Sequence, residues 1–241
     1  MSDQRILLEV PVFGLEAAKQ AAEWGAGRLE LCSSHTEGGL TPGPGLFKQV
    51  KKAVAVPVFV MIRPRGGDFV YSESEFKVMK EEVRLFKSLG ADGFVFGLLL
   101  AEGSVHMERC KELVELAGGR PCTFHRAFDV VTDRLSSLES VIECGFERIL
   151  TSGGEKSVEE GLVNILALMK KAGHRIIIMP GGGMTPELIQ PLNQNGELRE
   201  IHASCKRWKP YEGSLLPGEP EQKGYLSIDR ARLKRFRQYL T

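Results

Sequence analysis

The chain has 241 residues, 42% of them hydrophobic and 26% charged, ordinary globular values that argue against disorder or collagen-like repeats. Its 32 Lys plus Arg and 31 Asp plus Glu leave a formal net charge of +1, so no overall field collects nucleic acid or an anionic membrane. No run approaches the ~18–20 apolar residues of a membrane span, and Met1-Ser2-Asp3-Gln4-Arg5 lacks the layout of a signal peptide; a soluble cytoplasmic protein is expected.

Short β-rich runs alternate with helical patterns along the chain. The expected strands are Ile6–Val10, Arg28–Cys32, Val58–Ile62, Gly93–Gly97, Cys122–His125, Arg148–Thr151, Ile176–Met179 and Glu200–Ala203. Between them lie helix candidates at Gly14–Trp24, Ser74–Leu89, Met107–Leu116, Leu135–Cys144 and Ser157–Lys171. Ser72 with Glu75 and Ser157 with Glu160 read as capping boxes, and Thr41-Pro42 and Thr185-Pro186 as N-caps followed by proline. Eight strand–helix units of about 27 residues each predict a single (β/α)8 TIM barrel, an α/β fold spanning residues 1–241. An open doubly wound sheet is the alternative, since alternation alone does not show closure. The irregular stretch Lys206–Gly224 precedes a final helix expected from about Ile228 to Leu240. It reads either as a lid or oligomer contact or as a tolerated insertion.

Five cysteines stand singly at positions 32, 110, 122, 144 and 205, with no C-x-x-C pair. Reduced, largely buried thiols are expected rather than a disulfide framework or zinc finger. No dinucleotide fingerprint or Walker sequence appears, so no nucleotide cofactor is indicated.

In barrels of this kind reactive groups gather at the C-terminal strand ends. Glu9 stands near the end of the first strand. In Arg28-Leu29-Glu30-Leu31-Cys32 the charges and the thiol share one face, and the leucines the other. Buried charges need partners, so Arg28 and Glu30 read either as an internal ion network or, for Glu30, as a group acting on a ligand. Arg63 and Arg65, with glycines and Asp68 following, make a candidate anion clamp. His125 is a candidate proton shuttle beside Arg126, and His202 is expected to share the barrel interior with it. Two glycine-bearing loops, Thr151-Ser152-Gly153-Gly154 and Gly181-Gly182-Gly183, offer backbone N–H groups to an anion, though such loops also occur as plain turns. His35 is a weaker candidate in the loop after the second strand.

These residues carry a resemblance. Arg28-Leu29-Glu30-Leu31-Cys32, Glu37-Gly38-Gly39-Leu40-Thr41-Pro42, Ile62–Phe69, Thr123–Asp129, Ile149–Gly153 and Met179–Gly183 together resemble the copper homeostasis protein CutC family, over roughly residues 6 to 205. The resemblance implies a cytoplasmic TIM barrel that self-associates as a homo-oligomer and serves copper tolerance, with copper(I) as its ligand. It maps one of the two cysteines proposed as ligands in animal members onto Cys32. The other falls on Pro11, which has no metal donor. The residues read alone also fit a second function: an isomerase, epimerase or lyase acting on a small anionic or phosphorylated substrate. There Glu9, Glu30, Asp68, His125 and His202 would be the acid–base groups, and Arg63, Arg65, Arg126, Thr151, Ser152 and Gly181–Gly183 the anion contacts. Either way the expected partner is a small molecule or metal ion, not nucleic acid or membrane.

Overall fold

The computed structural model describes residues 5–213 and 224–240. Eight parallel strands form one sheet: β1 (Leu7–Val12), β2 (Arg28–Leu31), β3 (Val58–Met61), β4 (Gly93–Phe96), β5 (Cys122–Phe124), β6 (Arg148–Thr151), β7 (Ile177–Pro180) and β8 (Glu200–His202). The order is β7-β6-β5-β4-β3-β2-β1-β8, and a parallel bridge from Gly181 to His202 joins the two ends, closing the barrel rather than leaving an open sheet. Eight helices follow: α1 (Leu15–Trp24), α2 (Pro44–Ala53), α3 (Glu73–Ser88), α4 (Met107–Ala117), α5 (Arg134–Glu143), α6 (Leu162–Ala172), the single turn α7 (Ile189–Leu192) and α8 (Arg230–Tyr239). None among the described residues is long and apolar enough to cross a membrane.

Strand alternation divides the apolar residues into two clusters. Val10, Leu29, Leu31, Val58, Val60, Phe94, Phe96, Phe124 and Ile149 face outward into the shell packed under the helices. Each fully buried Phe or Leu there contributes roughly 2–3 kcal/mol. Phe47 of α2 meets Phe86 of α3 edge-on at 5.3 Å. A separate, smaller cluster of Cys32, Phe59, Met61 and Val95 fills part of the barrel interior, with Phe13 beside it. Phe59 lies where a side chain on Gly93 would stand: a Cβ there would come within 2.5 Å of the ring. All five cysteines are free and buried.

The capping box of Ser72 and Glu75 opens α3 as expected. Ser157 Oγ does accept the Glu160 N–H at 3.2 Å, but it closes a turn, and α6 starts later, at Leu162. Thr41 is not an N-cap. Its hydroxyl accepts the Arg63 N–H and donates to Glu82, clasping the loop onto β3, and Pro44 takes the first helical position of α2 instead. The stretch expected to be irregular is partly ordered. Lys206–Pro210 (β9) pairs antiparallel with Gly224–Ile228 (β10), so α8 begins only at Arg230, capped by Asp229. Lys-Arg-Trp-Lys-Pro carries no apolar alternation to signal that strand. The middle of the stretch, 214–223, lies outside the described residues.

Candidate functional site

The barrel interior is charged at its floor. Register sets Glu9 beside both Arg28 and His202, and Pro11 beside Glu30. Arg28 Nε donates to Glu9 at 2.5 Å, and its Nη2 reaches Glu200 and, at 3.4 Å, the Met179 sulfur. Arg148 Nε donates to the same Glu200 oxygen at 3.1 Å, and both guanidiniums lie over the Phe59 ring. Two cations thus face two carboxylates with all four groups bonded, the condition under which buried charge is tolerable. Burial alone would raise the Glu9 carboxyl, but Arg28 and His202 outweigh it and hold it well below the ordinary range.

Above this layer Glu9 Oε1 also takes His202 Nδ1 at 2.8 Å. Burial opposes the imidazolium, yet the bond to Glu9 and the field of Glu30 and Glu9 raise the His202 pKa above the usual value. Glu30 stands apart from the floor network. Its Oε2 accepts the Cys32 S–H at 3.5 Å, and its buried Oε1 has no hydrogen-bond partner among the described residues. Burial, reinforced by Glu9 and opposed by His202, pushes this carboxyl up to about 7. Burial and the adjacent Glu30 likewise push the Cys32 thiol well above its ordinary value. Donor atoms of Glu9, Glu30 and His202 fall within 4.8 Å of one another, a spacing that could hold a cation.

Glu30, Cys32, His35, Met61, Arg63, Phe69, Arg126, His125 and His202 line one cavity of about 400 Å3 at the C-terminal mouth. His125, the candidate proton shuttle, lies in this cavity. Its Nδ1 accepts the Ala127 N–H at 3.3 Å, which places the ring proton on Nε2, an atom with no partner among the described residues. Burial and the Arg63 charge push its pKa down to about 3, so it stays a neutral donor. His35 is similar: Lys206 Nζ lies 2.8 Å from Nε2 and has only hydrogens to offer, so the proton sits on the unpartnered Nδ1. This second donor received little weight from sequence because loop histidines are usually solvated.

The three loops expected to bind anions differ. Arg63 spends both terminal nitrogens on the carbonyls of Glu37, Gly39 and Gly67, and the Glu37 carboxylate lies where a Cβ on Gly66 would be. That clamp is filled from within, and the Arg63 guanidinium also acts on the Tyr71 hydroxyl; its Nε has no hydrogen-bond partner among the described residues. Arg65 and Asp68 pair with each other, and Arg65 also with Glu75, on the outer surface; neither lines the cavity. After β6, Asp129 fills the second loop. It accepts Thr151 Oγ1 at 2.5 Å, the Ser152 and Gly154 N–H groups, and Arg126 Nε at 2.6 Å. Thr151 and Ser152 therefore hold a carboxylate of the chain itself. In the third loop the Gly181 N–H, expected to face an anion, is instead given to Thr151 O at 2.9 Å, and only Gly182 and Gly183 line a second cavity of about 640 Å3.

Met61 is the contributor that sequence reading passed over. Its alternation with Phe59 and Arg63 on β3 is the signal that places it inward. Its Cε and Cys32 Sγ approach Gly39 (φ +98°), where a Cβ would lie 3.2 Å from Cys32 Sγ. Glycine there lets the loop after β2 close over both side chains.

Comparison with known proteins agrees with this architecture. The mouse copper homeostasis protein cutC homolog is 50% identical over 83% of this chain and 74% of its own length, and the human homolog 48% identical over 83% and 73%. The crystal structure of a CutC protein from Streptococcus agalactiae superposes with a TM-score of 0.77 at 34% identity, covering 82% of this chain and 97% of that one. The CutC family model matches residues 6–207, and the chain belongs to the CutC family.

Proposed function

We propose that this protein acts in copper homeostasis, as the names of its relatives state for them, and that it binds cuprous ion at the barrel mouth through Cys32. The supporting observation is a pair of soft donors on one cavity. The Cys32 thiol and the Met61 thioether both line it and pack in the same internal cluster. Thiolate and thioether are the ligands cuprous ion prefers. Met61 supplies sulfur chemistry that Pro11, beside Glu30 in the sheet, does not.

Binding requires the thiolate, and burial makes that form costly unless the ion displaces the proton. Glu30 Oε2 already accepts the Cys32 S–H, and at about 7 its carboxyl can take up the released proton. The same reading takes the protein as a cytosolic homo-oligomer; the five free cysteines fit a reducing compartment, and light scattering of the purified chain tests the assembly.

Anaerobic titration against a cuprous-selective chromophoric chelator tests the site. Cys32→Ser is expected to weaken cuprous affinity at least ~100-fold and Met61→Leu about tenfold. Wild-type affinity in Cys32→Ser would refute the assignment.

A further inference from the structure

The two mouth cavities share Arg126, His202 and Ser204 in their walls and so lie side by side. Together they present two chemically distinct ends. The larger cavity, between the loops after β7 and β8, is lined by Arg126, Lys206, Arg232 and Arg235, with Glu187 its one carboxylate. Glu187 is consumed by Arg235, and Asp129 by Arg126 and the loop after β6. Lys206 meets only the neutral His35, and neither Lys206 nor Arg232 has a carboxylate partner among the described residues. Gly182 (φ +101°) presents bare backbone there, because a Cβ would come within 3.1 Å of the Arg126 guanidinium carbon. The N-terminus of α8 does not contribute, since the Asp229 side chain occupies it.

The smaller cavity carries a surplus of donors. Among the described residues His125 Nε2–H, His35 Nδ1–H and Arg63 Nε–H are buried without hydrogen-bond partners, and so is Glu30 Oε1 on the same cavity. Leaving four such groups unsatisfied is expensive, and a hydroxylated or carbonyl-bearing body would satisfy donors and carboxyl alike.

We propose that the two adjoining cavities together bind a small phosphate monoester. Its phosphate lies against Gly182, Gly183, Lys206 and Arg232, and its oxygen-rich body lies among Glu30, His35, Arg63 and His125. Of the three glycine-bearing loops at the mouth, two are occupied by Glu37 and Asp129, and this one is open to an external anion. Its position after the seventh strand is where barrels of this class commonly hold phosphate. The site shares the smaller cavity and Glu30 with the cuprous one but draws on no sulfur, and its phosphate end, at Lys206 and Arg232, lies apart from Cys32 and Met61.

Isothermal titration of the full-length protein with ribose 5-phosphate, ribose and inorganic phosphate tests it. Saturable binding of ribose 5-phosphate is expected, with weaker binding of inorganic phosphate and none of ribose. Arg232→Ala and Lys206→Ala should each cost at least about tenfold. His125→Phe should weaken the ester and leave inorganic phosphate unchanged, which separates the two ends. Neither substitution at 206 or 232 should alter cuprous affinity, so this site and the copper site fail separately. Absence of binding by both phosphates, or equal binding by the Arg232→Ala/Lys206→Ala double variant, overturns the proposal.

Discussion

At the barrel floor Arg28 and Arg148 meet Glu9 and Glu200, and each of the four has a partner within bonding reach. One layer higher, Glu30 and His125 are as deeply buried, yet each keeps an atom without a partner among the described residues. The same alternation of β-strands delivers both layers, so burial of charge does not by itself distinguish scaffold from site. What distinguishes them is saturation. The floor satisfies its own charged groups, whereas the mouth leaves polar atoms unpaired among the described residues.

Breaking the floor should have the largest effect. Arg28→Ala leaves Glu9 and part of Glu200 buried without their cation, and a loss of about 3–5 kcal/mol is expected in urea denaturation. A loss under about 1 kcal/mol would mean the network is solvated and the contrast false.

Titration sharpens the contrast next. The Glu30 carboxyl is raised in the folded state from 4.5 to about 7, so its contribution to stability is full below pH 4.5 and is lost as pH rises through 7. Glu30→Gln should remove that decline and be more stable than wild type at pH 8, by up to about 3 kcal/mol. Glu9 has the opposite sign: its lowered pKa gives stability above 4.5 that is lost only towards strongly acidic pH. Between pH 5 and 9 Glu9 therefore stays ionised while Glu30 titrates. Melting curves of wild type and Glu30→Gln across that range decide it, and parallel curves would remove Glu30 from the mouth layer.

His125 contributes a smaller, acid-side effect. Its folded pKa of about 3 lies below the usual 6.5, so its stabilisation is present above 6.5 and is lost as pH falls towards 3. Nitrogen-15 NMR should show a neutral, Nε2-protonated ring at pH 5. An imidazolium signal there would overturn this tautomer and the acid-side loss of stability with it.

Much of this was legible in the sequence. Leu29 and Leu31 between Arg28, Glu30 and Cys32 announced which face of β2 turns inward, and period-two alternation is local enough to read directly. The strand β9 was hidden because Lys206–Pro210 pairs with residues beyond position 223 and carries no pattern of its own. The fate of the anion loops was hidden for a related reason. Glycines at 66 and 153–154 look the same whether an external anion or Glu37 and Asp129 fills them, and only the chain path brings those carboxylates in. The tautomers of His35 and His125 are likewise set by Lys206 and the Ala127 N–H, through contacts a linear reading does not contain.

Arg65 and Asp68 give the smallest expected effect and the sharpest boundary of the site. They sit two and five residues from Arg63 in an arginine–glycine run where all three look equivalent. The structure turns Arg63 inward, 5% exposed, and leaves the side chains of Arg65 and Asp68 38% and 68% exposed, paired with each other. A solvated pair of this kind is screened by water and salt and holds little for either stability or binding. Asp68→Asn is therefore expected to leave the melting temperature, cuprous affinity and ribose 5-phosphate affinity at wild-type values. A selective loss of ester binding in that variant would show the loop after β3 swinging over the mouth when ligand enters. Arg65 would then have to exchange Asp68 and Glu75 for the ligand, and the cationic end of the site would extend beyond Lys206 and Arg232.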